Sequence, residues 1–291
     1  MSNIVPRGSF KARYRHAVRY FCERILPRII LILMCILFIL PFYWMLTSSI
    51  KSSEELRAVP PLLVPRSFHF ENFLFAVQYI PFFRFLRNSL ILSLGSVVGA
   101  VISNSLGSYS LSRIDWPGRE VAFYVVISTM FIPFPVILVA MFDIYSKFGL
   151  INSFAPLLIP AFMGSAIHIF MMRQYLLGIP KEISDAGFID GANEWQIFTR
   201  LILPIMKPVI AVVAIFTALG SWNDFLGPLL YLQNEQLYPL SLGLQFFRTI
   251  HHIEYSMLMA ASTLVVLPVV VIFLIFQRFF VEGITMGAVK G

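Results

Sequence analysis

The chain has 291 residues, of which 58% are hydrophobic and only 13% charged, with a mean hydropathy of +0.80. Water-soluble domains are about 45–50% apolar and about 25% charged, so this surplus of apolar surface excludes an aqueous globular domain and calls for a bilayer as solvent. The formal net charge of +7 does not indicate nucleic acid, because the excess lies near the N-terminus and in segments between apolar runs, not in one phosphate-tracking stripe.

Residues 1–28 form a basic N-terminal segment with seven Lys and Arg. Between Arg28 and Lys51 lie 22 uncharged residues. That is longer than the roughly 7–15-residue core of a signal peptide, so 29–50 is placed as a retained first transmembrane helix. Residues 51–84 form an external loop in which Pro60, Pro61, Pro65 and Pro81 oppose a long helix. Its aromatic end, Tyr79 to Phe85, suits the membrane interface.

The stretch 85–279 holds five more apolar runs. Uncharged stretches of 25, 22, 25 and 23 residues separate Arg87 from Arg113, Glu120 from Asp143, Lys147 from Arg173 and Glu254 from Arg278. The 27 residues between Lys207 and Glu235 contain one charge, Asp224. At about 1.5 Å rise per residue, each run covers the roughly 30 Å hydrocarbon core. Helices are required, because backbone N–H and C=O groups find no water partners in lipid. The expectation is an all-α membrane protein with six transmembrane helices near 29–50, 85–111, 120–142, 155–177, 206–230 and 255–277. With the N-terminus inside, the cytoplasmic segments hold 15 Lys and Arg against seven on the opposite side. Both termini are therefore placed in the cytoplasm.

The longest patterned cytoplasmic loop is 178–207. Pro180 suits the first turn of a helix, and Glu182 and Asp185 favour the positive end of its dipole. Ile183, Ala186, Phe188 and Ile189 give an apolar side, and Gly191 provides a left-handed cap. Asn193 and Gln196 have capping-box spacing and start a second short helix. The expected shape is two short helices lying across the membrane surface, with an apolar ridge that fills a groove on a partner.

Here the residues resemble a known family. Asp185-Ala186-Gly187, three residues, Gly191, nine residues and Leu201-Ile202-Leu203-Pro204 fit the spacing of the EAA motif of ABC importer permeases. Asp185 for Glu, Gly187 for Ala and Leu201 for Ile depart from it. Gly187 weakens a helix interior by about 1 kcal/mol relative to Ala. Residues 276–291, with Gly283, Gly287, Ala288, Lys290 and Gly291, resemble the end of maltose-type permease subunits, and 280–291 are placed as a cytoplasmic C-terminal tail. The run Ser221-Trp222-Asn223-Asp224-Phe225 resembles a W-N-D/E-F pattern of carbohydrate permeases.

The resemblance implies the type I ABC importer permease fold, in a multi-pass protein of the bacterial cytoplasmic (inner) membrane. It implies a homologous second permease subunit, two ATP-binding cassette subunits that bind ATP and Mg, and an external solute-binding protein. In that family the loop docks on the ATPase, through Asp185, Ala186, Gly187, Asp190, Gly191, Leu203 and Pro204 here. The tail residues Gly283, Gly287, Lys290 and Gly291 are expected to turn out of the membrane and touch the ATPase. The implied cargo is a carbohydrate, an oligosaccharide. External Arg84, Arg87, Lys147 and Arg248 would tolerate an acidic, alginate-type one.

This chain carries no GxxxxGK[ST] phosphate loop, no Cys/His metal cluster and no HExxH or G-x-S-x-G motif, which leaves it without a cofactor or enzyme site of its own. An ATP-independent channel or secondary transporter would need ion-relay charges, and Asp224 is the one charge at membrane depth. Asn104, Asn223 and Asp224 are candidate pathway-lining residues, although Asn104 equally suits a helix–helix hydrogen bond.

Overall fold

The computed structural model describes Tyr14, residues 18–248 and residues 254–288, the last eleven by backbone alone. It is helical throughout, with no strand among the described residues. Four helices there are long and apolar enough to cross a membrane: Val18–Ser49, Phe82–Ser112, Ala155–Leu177 and Tyr255–Gln277. Two bent pairs, Arg119–Phe131 with Val136–Lys147 and Glu194–Ile205 with Lys207–Asn223, bring the number to six if each is one span. The chain divides into two compact units, one of 1–73 with 254–263 and one of 74–253 with 264–291.

In the first unit, α1 (Leu26–Ser49) follows a π-helical turn, and the whole Val18–Ser49 span has no buried residue in its most apolar stretch. Lipid-like surroundings suit a helix that is apolar on every side. Its C-terminal end is different. Thr47, Ser48 and Ser49 are buried, and Lys51 is fully enclosed, its Nζ donating to Leu62 O at 2.6 Å and lying 4.4 Å from the Trp44 ring centre. Asn72 Nδ2 donates to the carbonyls of Ser49 and Lys51, both at 3.0 Å. The segment read as a proline-rich loop is thus a folded cap containing α2 (Ser53–Arg57) and the start of α3 (Glu71–Tyr79). Ser52 caps α2, and Glu55 accepts hydrogen bonds from the Arg66 and Ser67 amides. Burial raises the Glu55 pKa, but these bonds outweigh it and hold the carboxyl below its ordinary range.

The second unit is built on α4 (Phe82–Ser112), which starts three residues before the expected span and runs unbroken for 31 residues. It packs on α7 (Ala155–Phe162), α8 (Ala166–Leu177) and α12 (Lys207–Asn223). The approach to α7 is close: a Cβ on Gly99 would stand 2.6 Å from the Phe162 ring. Small residues permit such backbone proximity between membrane helices.

Several expected spans are interrupted. The 120–142 run is α5 (Arg119–Ser128), a short 3-10 turn and then α6 (Phe134–Lys147), separated at extended Ile132 and Pro133. Pro133 explains the break, since proline forces its predecessor, here Ile132, out of the helical region and removes an N–H. Helix α6 also passes the expected end at 142, with Asp143 and Lys147 paired one turn apart at 2.6 Å. The 155–177 run breaks at Gly164, whose φ is +84°.

The last helix, α14 (Tyr255–Ala288), remains helical through Gly283 and Gly287. The turns expected at those glycines are absent. Glycine permits a turn but does not impose one, and helical propagation from the apolar run carries on. Lys290 and Gly291 lie outside the described residues.

Candidate functional site

The 178–207 loop folds as two short helices, as the spacing predicts. Helix α9 (Glu182–Ile189) ends in a Schellman motif: Ala192 N–H donates to Gly187 O and Gly191 N–H to Phe188 O, both at 3.0 Å. Gly191 occupies the left-handed position with φ +81°. Helix α10 (Glu194–Gln196) opens with the full capping box, Asn193 Oδ1 accepting from Gln196 N–H and Gln196 Oε1 from Asn193 N–H, both at 2.9 Å. A π-helical stretch, Ile197–Ile202, continues into α11 (Leu203–Ile205). After Met206 the chain bends by 76° into α12.

The two faces of this loop differ. Inward, Ser184 and Gly187 are buried, and Ile197, Phe198, Ile202 and Met206 join Tyr109, Met172 and Leu176 in one apolar core. A Cβ on Gly187 would lie 2.9 Å from Leu201 Cδ1 and 3.1 Å from Ile197 Cγ1, so the departure from alanine sits at a close contact between α9 and the segment after α10. Outward, Asp185, Ala186, Asp190 and Gly191 are exposed. Beside them Ile189 is 87% and Trp195 62% exposed, which makes an apolar ridge. Leu203 is half-buried and Pro204 exposed.

The loop is tied to α4 by residues that the sequence reading did not single out. Tyr109 Oη donates to Glu194 Oε2 at 2.7 Å, and the Tyr109 ring lies 4.9 Å from that of Phe198. Just past α4, Arg113 donates to the carbonyls of Leu176, Ile179 and Pro180 at 2.7, 2.6 and 3.3 Å. These carbonyls lie at and just past the end of α8, where a cation also complements the helix dipole. Burial lowers the Arg113 pKa, opposed by nearby Tyr109, Asp185 and Glu182. The sequence offered Arg113 only as a topology charge; nothing in linear spacing links it to a helix end over 60 residues away.

A second feature surrounds Asp224. Helix α12 ends at Asn223, Asp224 is extended, and a short α13 (Leu226–Tyr231) follows. Asp224 Oδ1 accepts from Gly227 N–H at 3.1 Å, and its carbonyl accepts from Ser241 Oγ at 2.6 Å. Irregular backbone at membrane depth is tolerated where it is buried in protein or lines a cavity. Here a cavity of about 220 Å³ is lined by Leu92 and Ser96 of α4, Leu157 of α7, Gly220 and Ser221 of α12, and Asp224.

The other two pathway candidates lie elsewhere. Asn223 is exposed and donates to Leu219 O of its own helix at 2.8 Å. Asn104 is fully buried: its Nδ2 donates to Ala100 O at 2.6 Å and its Oδ1 accepts from Ser165 N–H at 2.7 Å, capping α8 after the Gly164 break. Ser96 and Ser221 were not anticipated as cavity residues; a serine in an apolar run carries no signal of the side it faces.

A model of the family described as binding-protein-dependent transport system inner membrane component matches residues 95–285. The chain belongs to that family. It is therefore a membrane permease subunit of an ABC importer, a transport subunit and not an enzyme. Similar proteins include the arabinooligosaccharides transport system permease protein AraQ of Bacillus subtilis, 34% identical over 281 residues, covering 95% of this chain and 99% of that one. The diacetylchitobiose uptake system permease protein NgcG of Streptomyces coelicolor is 29% identical over 265 residues, covering 90% and 87%. Among solved structures, a bacterial ABC transporter for import of the acidic polysaccharide alginate contains a chain that superposes with a TM-score of 0.80 at 21% identity, covering 95% of this chain and 100% of that one. At that identity the match establishes the type I permease fold.

Proposed function

We propose that this chain is the permease subunit of a carbohydrate importer, with six spans and both termini cytoplasmic, forming half of the translocation pathway for an oligosaccharide. A homologous second permease completes the pathway, two ATP-binding cassette subunits bind ATP and Mg, and an external solute-binding protein delivers the cargo. The names of AraQ and NgcG support the carbohydrate class. The observation that carries the coupling role is the 178–207 loop: a rigid double-capped turn that presents Ile189 and Trp195 outward while its other face is locked to α4. An amphipathic element of this form fits a groove on a partner, and both ATP-site closure and helix movement can bias it. The tail, with Gly283, Gly287, Lys290 and Gly291, is assigned a second contact with the ATPase.

The test is substrate-stimulated ATP hydrolysis by the reconstituted complex, with subunit content checked on the same sample. Ala186→Asp places an unpaired charge in the docked face, at a cost of a few kcal/mol. Gly191→Asp adds strain at a left-handed position, about 1 kcal/mol or more. Both variants should insert normally and lose stimulation, or lose the ATPase subunit. Wild-type stimulation and uptake in both would remove the loop from the coupling role.

A further inference from the structure

The cavity at the α12 break has a chemistry that bears on which carbohydrate passes, and the argument rests on the carbohydrate reading above. Its polar lining residues are Asp224, Ser96 and Ser221, and its apolar ones include Leu92, Leu157 and Pro228. Asp224 is the one charged residue in that wall. A carboxylate beside two hydroxyls accepts charge-assisted hydrogen bonds from sugar hydroxyls, and leucine side chains suit the C–H face of a sugar ring. At about 220 Å³ the space is smaller than the roughly 300–1,000 Å³ of complete small-molecule sites, so it houses one sugar unit or is closed by the second subunit.

The same carboxylate opposes a second one. Like charges brought together in a poorly solvated cavity repel strongly and disfavour each other's ionised forms. Arg84, Arg87, Lys147 and Arg248, which suggested tolerance of an acidic sugar, are not in this wall. We infer that Asp224 is a specificity-determining residue that admits neutral, hydroxyl-rich oligosaccharides and rejects uronate oligosaccharides.

The experiment uses the assembled importer without its solute-binding protein, so that the permease's own preference is read. Direct binding is measured for neutral oligosaccharides of arabinose, glucose and N-acetylglucosamine and for oligogalacturonate and oligoalginate of the same length. The expected result is that at least one neutral sugar binds ten or more times more tightly than either uronate. Asp224→Asn keeps an acceptor for Gly227 N–H, so the break persists; in that variant the neutral-to-uronate ratio should fall about tenfold. Ser96→Ala should weaken binding without changing the ratio.

Tighter uronate binding by the wild type, or an unchanged ratio in an assembled Asp224→Asn complex, overturns the assignment. A ratio change in Ser96→Ala as large as in Asp224→Asn overturns it as well. Failure of every sugar to bind or to be taken up, with the complex intact, overturns the carbohydrate reading and this inference with it, a result distinct from the others.

Discussion

At Gly187 a side chain is missing where two helical segments meet. By propensity alone the residue weakens α9, and the sequence reading treated it so; the close approach of Leu201 and Ile197 is invisible in a linear pattern. Gly187→Ala should therefore be nearly neutral. The gain in propensity, about 1 kcal/mol, offsets a small displacement of the Leu201 side-chain end and a shift of a few tenths of an ångström at Ile197. Gly187→Leu overpacks the same contact and should cost about 1–3 kcal/mol. Thermal unfolding of the purified complex measures both, and equal melting temperatures for the two variants would contradict this packing. Gly191 and the Asn193–Gln196 box were legible beforehand, because cap chemistry is local and its residues lie within four positions of one another. The contacts of Tyr109 and Arg113 are not local, so no spacing rule reaches them.

Among the helices, hydropathy located the apolar runs but not the interruptions within them. A window average counts Gly164, Pro133 and Asp224 as single residues in long apolar stretches, whereas the backbone responds to each as a break. Asn104 supports one of these breaks from the neighbouring helix, so its removal tests the arrangement. Asn104→Leu leaves Ser165 N–H without its acceptor and forces bulk into a fully buried site. A loss of about 1–3 kcal/mol is expected. Asn104→Asp keeps an acceptor and should recover less than all of it, because a charge is buried in exchange. Unfolding midpoints in detergent should rank wild type above Asp and Asp above Leu. Arg173 supports another junction: its Nε donates to Leu111 O at 2.8 Å, and it pairs with Glu120 at 2.7 Å over the Phe123 ring.

For the molecule as a whole, the bias of Lys and Arg between the two sides predicts the membrane orientation and hence which side the 178–207 loop faces. Single cysteines at positions 55, 115, 190 and 235, in a background without Cys22 and Cys35, provide the check. A membrane-impermeant thiol reagent applied from outside should label 55 and 235 and leave 115 and 190 untouched. Labelling at 190 would sink the orientation and the coupling role together. The class was legible because the bilayer acts on every residue of a span at once. The cavity was not, because its polar residues come together from α4, α12 and the break between α12 and α13.

The unbroken course of α4 has a mechanical consequence. Ser96 in the cavity wall and Tyr109 at the loop are 13 positions apart on one hydrogen-bonded rod, about 20 Å at 1.5 Å per residue. While neighbouring spans are jointed by proline, glycine or an extended residue, this one is a shaft. Under the coupling role proposed above, a push or twist received at Tyr109 would arrive at Ser96 without a relay of side chains, and stiffness itself would be part of the transport cycle. Softening the shaft midway, where neither end is touched, would leave cargo recognition and ATPase docking intact and yet let them run out of step.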